Sequence, residues 1–113
     1  MSVLVVGTVA LDTIQTPLGK RKNILGGSAT YSALSARLFA PVNLVAVVGR
    51  DFPPDHLDLF RKKKIDGAGL DIVDGKTFHW EGVYGPDFTD PQTIVTDLNV
   101  LASFAPRLPQ HYR

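Results

Sequence analysis

The sequence predicts an α/β fold: a parallel sheet with flanking helices, joined to a small antiparallel sheet. Three observations predict it. The continuous β-branched runs Val3-Leu4-Val5-Val6-Gly7 and Val42-Asn43-Leu44-Val45-Ala46-Val47-Val48-Gly49 suit strands covered on both faces, the habit of parallel sheets. Helical spacing after each run supplies the crossovers that parallel strands require, and such crossovers are right-handed. After Asp74-Gly75 the texture changes to short segments with aromatics at alternate positions, as in antiparallel pairs.

Taken in order, the run over 3–7 is the first strand. A polar stretch over 12–23 follows, where Thr and Ile residues around Pro17 and Gly19 predict two short strands joined by a turn. Ser28 is the expected N-cap of a helix over 29–40. Ala29, Ala33, Ala36 and Ala40 recur at helical spacing there, and Pro41 stops it. Small residues on that face let the helix lie close to a sheet. The run over 42–49 is the second buried strand. A second helix is expected over 53–64, its faces marked by Leu57, Phe60 and Lys64 or by Leu59 and Lys63. Its basic end, Arg61-Lys62-Lys63-Lys64, suits the helix dipole. Gly67 and Gly69 are expected to break the chain before a short strand over 70–73. Segments 77–84 and 93–101 then form an antiparallel pair, a small separate sheet, with Pro86, Asp87, Asp90 and Pro91 in the loop between. The tail from Phe104 to Pro109 is a connection.

Composition narrows the function classes. Twelve Lys and Arg against eleven Asp and Glu, in 113 residues, leave a net charge of +1. That balance gives no electrostatic footprint for nucleic acid or an anionic membrane. The absence of cysteine excludes disulfides and thiolate metal sites and fits a reducing compartment. The opening Met-Ser-Val-Leu-Val-Val-Gly lacks the basic start and long apolar run of a signal peptide, so a cytoplasmic protein is expected. His56, His79 and His111 lack ligand spacing, so no metal site is assigned. The basic run over 61–64 has no interleaved aromatics to suggest nucleic acid.

The most informative local feature is Asp12 beyond the first strand, combined with Gly26-Gly27 opening a helix. Ligands of open parallel sheets bind at the carboxyl ends of strands. A carboxylate there accepts hydrogen bonds from hydroxyls, and glycines at a helix start permit close approach and expose amide donors. A polyol suits that pair. The plainer reading is that Asp12 begins a turn and the glycines shape a connection. Val6-Gly7-Thr8 starts like a nucleotide-binding turn, but no G-x-G-x-x-G follows and no G-x-x-x-x-G-K-[ST] occurs. Gly67-Ala68-Gly69 precedes no helix and is poorly placed to cradle phosphate. Phe78, Trp80 and Tyr84 share one strand face, a face for packing, for covering a ligand or for a partner subunit.

The order of strand, Asp12, polar hairpin, Gly26-Gly27-Ser28-Ala29-Thr30-Tyr31 and Val47-Val48-Gly49-Arg50-Asp51 resembles the amino-terminal part of the ribokinase-like sugar kinases, the PfkB carbohydrate kinase family. Gly75-Lys76-Thr77-Phe78-His79-Trp80 and Leu98-Asn99-Val100 resemble one bacterial branch of it. The likeness runs from Val3 to about Arg113 and implies a partial ribokinase-like parallel sheet plus a small antiparallel β-lid.

The resemblance implies an intact protein that transfers the γ-phosphate of ATP, with Mg, to a hydroxyl of a sugar or nucleoside. Asp12 corresponds to the acid that grips substrate hydroxyls, and Gly26 and Gly27 to the paired glycines lining the substrate pocket. Tyr31 stands where many members have a sugar-contacting Asn, and a phenol there stacks on a ring or hydrogen-bonds through its hydroxyl. Segments of about 12–25 and 76–101 correspond to the lid that closes over substrate and often forms a homodimer interface. The family's Asp-Thr-x-Gly-Ala-Gly-Asp signature, which supplies an anion-binding helix start and the catalytic base, has no match among the 113 residues.

Residues 1–113 are therefore expected to be the amino-terminal fragment of one ribokinase-like domain, carrying the substrate half and lid without a catalytic residue, a metal ligand or the ATP site. Such a fragment would be inactive by itself. The alternative is a free-standing small-molecule-binding or dimerisation module without catalysis. Only two helices cover three buried strands, so the run over 42–48 is expected to present apolar surface or an unpaired edge, leaving the chain marginally stable or self-associating.

Overall fold

A computed structural model describes residues 1–88 and 90–113. Seven strands and two helices follow in the order β1 (Val3–Val6), β2 (Ala10–Thr16), β3 (Gly19–Gly26), α1 (Ser28–Ala36), β4 (Val42–Gly49), α2 (Pro54–Lys62), β5 (Ile65–Val73), β6 (His79–Val83) and β7 (Gln92–Asp97). Short 3-10 turns close the chain at Asn99–Ser103 and Gln110–Tyr112. The strands form a parallel three-stranded sheet, β1-β4-β5, and a four-stranded sheet, β3-β2-β6-β7. The α/β class and the two-sheet division match the expectation.

Strand β4 forms where the sequence is most continuously aliphatic. It lies between β1 and β5, and Leu44, Val45, Ala46 and Val48 lose all contact with solvent. Its Leu44, Ala46 and Val48 pack with Val5, Leu11, Ala29, Ala33, Phe60 and Ile65 into one core. Each large aliphatic side chain so buried contributes about 1.5–3 kcal/mol. The expected apolar exposure at 42–48 is thus misplaced. The uncovered aliphatics lie on the edge strand β1, where Val3, Leu4 and Val6 are exposed, and at the end of β5, at Ile72 and Val73.

Several local expectations need correction. Ser28 does not cap α1; Gly27 occupies the cap position, and Thr8 satisfies the first helical donors. The Ser28 amide donates to Thr8 Oγ1 at 2.9 Å and the Ala29 amide to the Thr8 carbonyl at 2.9 Å. The helix ends at Ala36, and residues 37–40 continue as tighter turns before Pro41. Gly67 and Gly69 lie inside β5 rather than ahead of it. The β4–β5 register shifts between Asn43 and Val45, and a Cβ at Gly69 would stand 2.5 Å from the Leu44 carbonyl oxygen, so glycine here serves a close approach within the sheet.

The tail is more than a connection. Tyr112 brings its hydroxyl to this irregularity, accepting from the Gly69 amide at 3.1 Å and lying 2.6 Å from the Asp66 carbonyl. Arg107 joins it by pairing with Asp71 at 2.8 Å.

The second sheet is larger than the separate pair expected. The antiparallel hairpin β2–β3, joined through Pro17 and Leu18, accepts β6 in parallel on its other side, and β7 pairs antiparallel with β6. Segment 98–101, expected as strand, turns into the 3-10 helix instead. No helix among the described residues is long and apolar enough to cross a membrane.

Candidate functional site

Asp12 sits in β2, inside the four-stranded sheet, six residues past the end of β1 rather than at its tip. It pairs in register with Ile24 of β3 and with Trp80 of β6. Adjacent paired residues project to one face, and so do residues two apart on a strand. Asp12, Gly26 and Trp80 therefore share a face.

A Cβ at Gly26 would overlap the Asp12 carboxylate where it stands, so glycine here leaves the carboxylate that position. The carboxylate thus lies over bare backbone, half-buried. Burial pushes its pKa above the ordinary carboxylate value, and the nearby His79 imidazole draws it partly back. No hydrogen bond reaches the Asp12 carboxylate among the described residues. A half-buried acceptor without a donor is a group prepared for one supplied from outside.

Gly27 adopts φ 96°, and a Cβ there would collide with the Thr8 carbonyl. Both constraints, positive φ and close approach, call for glycine. Its helix-start amides are not open donors, however, since those of Ser28 and Ala29 already bond to Thr8. Thr30 fastens the same corner, its hydroxyl donating to the Gly26 carbonyl at 2.7 Å. Tyr31 lies on the first turn of α1, 59% exposed, and its hydroxyl makes no hydrogen bond among the described residues. The structure thus brings Asp12 and Gly26 into contact, sets Gly27 against Thr8, and leaves Tyr31 at the solvent margin.

A second group, to which the sequence reading assigned no role, holds the base of this sheet. Thr77, fully buried, donates its amide and hydroxyl to Asp51 Oδ1 at 2.8 and 2.7 Å. Its hydroxyl also accepts from the Gly49 amide at 2.9 Å, and Asn99 Nδ2 donates to its carbonyl at 3.0 Å. Gly49 is needed because a Cβ would run into the Gly75 carbonyl. The Val-Val-Gly-Arg-Asp segment, noticed in the sequence only as part of a resemblance, is a brace between the end of β4 and the start of β6.

Beside this brace lies a polar cleft of about 240 Å³ lined by Asn23, Lys76, His79, Asp97 and Asn99 among others. A larger hollow of about 700 Å³ opens beyond the ends of β4 and β5, walled by Asp74, Lys76, Val100 and Phe104. It contains none of Asp12, Gly26, Gly27 or Tyr31, and Asp74 in its wall is already paired with Arg50. Size alone therefore does not mark the site. Among the described residues, no group of three or more His, Cys, Asp or Glu could hold a metal ion.

No family model matches the chain. A cytidine kinase from Thermococcus kodakarensis is 38% identical over 88 residues, which cover 77% of this chain and 31% of that protein. The chain thus spans about a third of the length of the curated relative it matches. Among solved structures, the nucleoside kinase of Methanocaldococcus jannaschii, an archaeal member of the ribokinase family, superposes with a TM-score of 0.73 at 21% identity, over 87% of this chain and 37% of that one. A Burkholderia thailandensis nucleoside kinase in complex with inosine gives a TM-score of 0.78 at 18% identity, over 91% and 37%. Ribokinase from Cryptococcus neoformans in complex with ADP gives 0.75 at 21% identity, over 87% and 35%. The chain carries the ribokinase-like fold and resembles nucleoside and sugar kinases of that family.

Proposed function

We propose that this chain is the substrate-binding and lid part of an ATP-dependent kinase that phosphorylates a hydroxyl of a sugar or nucleoside. The observation that carries the reading is the Asp12 carboxylate, half-buried over Gly26 and without a hydrogen-bond donor. A vicinal diol supplies two O–H donors, and a carboxylate has room to accept both. In this reading Gly26 and Gly27 shape the corner that holds the carboxylate, and Tyr31 stands at the solvent margin of that corner. The segments of about 12–25 and 76–101, joined as the four-stranded sheet, act as the lid, with the Asp51–Thr77 brace at its base. Residues 1–113 then form the amino-terminal part of one domain working in the cytoplasm.

The kinase relatives, one of them in complex with ADP, support ATP as the phosphate donor. The residues described here do not fit ATP and Mg: there is no candidate metal cluster, and the first amides of α1 are engaged by Thr8. No phosphoryl-transfer step is assigned to them, and the chain by itself is expected to bind acceptor without phosphorylating it. Calorimetric titration with ribose and with cytidine tests the reading. Asp12→Ala should weaken whichever ligand binds by at least about tenfold, the loss expected for hydrogen bonds to a charged group. Unchanged affinity would remove Asp12 from the site.

A second reading, a dimerising module, is favoured by Leu18, Ile94 and Leu98, all exposed on or beside the lid sheet. The two readings are compatible if the homodimer forms through the lid. Sedimentation of Leu18→Lys, compared with the unaltered chain, tests that interface.

A further inference from the structure

We propose that Trp80 provides a stacking surface for a planar heterocycle, so that the acceptor held at Asp12 is a nucleoside and not a free sugar. This rests on the reading of Asp12 as the hydroxyl-binding carboxylate. Trp80 is the register neighbour of Asp12 on the adjacent parallel strand and projects from the same face. Neighbouring strands lie about 4.8 Å apart, roughly one sugar ring, so a ligand anchored at Asp12 by its diol reaches the tryptophan with whatever the sugar carries.

The placement of the indole supports a ligand surface over simple packing. The six-membered part of the ring fills the space above Gly82, where a Cβ would collide with Cη2, Cζ2 and Cζ3. The ring's single donor, Nε1, is already engaged by Thr93 Oγ1 at 3.2 Å on β7. What Trp80 offers a ligand is therefore aromatic surface, set over Gly82 and fixed at its edge by Thr93. A tryptophan serving only the core would be sealed from solvent, yet this one remains partly exposed. Ile14, paired with Gly82 on the same face, flanks the ring and continues into a groove of about 340 Å³ shared with Ile24 and Arg21. Ribose alone has no apolar, flat part to place there.

Trp80 is the chain's single tryptophan and reports on its own occupancy. Titration of the 113-residue chain with cytidine should quench tryptophan emission saturably, whereas ribose should bind more weakly and leave the emission unchanged. Trp80→Leu should weaken cytidine binding about tenfold and leave ribose affinity unchanged, and Trp80→Phe, which keeps a ring and guards against a folding defect, should restore most of the loss. Equal affinity for cytidine and ribose, or an equal effect of Trp80→Leu on both, overturns the stacking proposal while the Asp12 reading stands. Binding of either ligand that survives Asp12→Ala undamaged overturns the Asp12 reading instead. Failure of both ligands to bind the unaltered chain overturns both.

Discussion

In the three-stranded sheet, β4 buries Leu44, Val45, Ala46 and Val48 completely, and Leu44, Ala46 and Val48 pack into the apolar core. In the four-stranded sheet, the inner strand β2 also buries Ala10 and Leu11 but sets a half-buried carboxylate without a donor between them and Thr13. One sheet is satisfied as it stands; the other holds a group that gains from a ligand. Stability and recognition are therefore expected to separate by region, with substitutions in one sheet sparing the property of the other.

The largest expected effect tests the first half of that separation. Leu44→Ala should cost about 2–5 kcal/mol, read by urea denaturation, because a fully buried leucine leaves a cavity. The same change should leave ligand affinity of the remaining folded molecules unaltered. Thr77→Val sits on the boundary between the regions. It removes the hydroxyl that links Asp51 to the Gly49 amide and should cost about 1–3 kcal/mol. If the brace positions the lid, acceptor affinity should fall with it, a joint effect that Leu44→Ala does not show. Tyr112→Phe should cost about 1 kcal/mol at the β4–β5 irregularity and leave affinity untouched.

The smallest effects concern pH, and here the two sheets should respond in opposite senses. Burial raises the Asp12 pKa, so its ionisation opposes folding; that contribution to stability improves as pH falls through the folded value. Acceptor affinity should decline over the same range as the carboxylate protonates. Asp66 in β5 is lowered: burial acts upward, but hydrogen bonds from the Ala68 amide, His111 and Tyr112 outweigh it. Its contribution is complete above the unfolded pKa and is lost as pH falls through the folded one. Paired melting curves of Asp12→Asn and Asp66→Asn across the acid range should diverge from the unaltered chain in opposite directions.

The parts legible in the sequence were those set by local chemistry. Continuous aliphatic runs identified β1 and β4, Pro17 and Gly19 marked the β2–β3 turn, and apolar spacing with a basic end marked α2. What escaped depended on partners distant in sequence. Gly67 and Gly69 look like breakers until Leu44 and Tyr112 approach them, and Ser28 looks like a cap until Thr8, twenty residues earlier, takes that role. For the site, the sequence singles out Asp12 with Gly26 and Gly27, but the amide donors expected at the helix start are engaged by Thr8. Trp80 carried a visible signal, aromatic alternation, but only the β2–β6 register places it beside Asp12.

The most direct test compares the melting temperature and the cytidine and ribose affinities of the unaltered chain with those of Asp12→Ala, all by calorimetry at neutral pH. The account predicts an Asp12→Ala chain that melts no lower than the unaltered one, because a half-buried carboxylate without a donor adds nothing to folding, while acceptor binding falls by at least about tenfold. Affinity that stays the same, or a loss of binding accompanied by a clearly lower melting temperature, would contradict it.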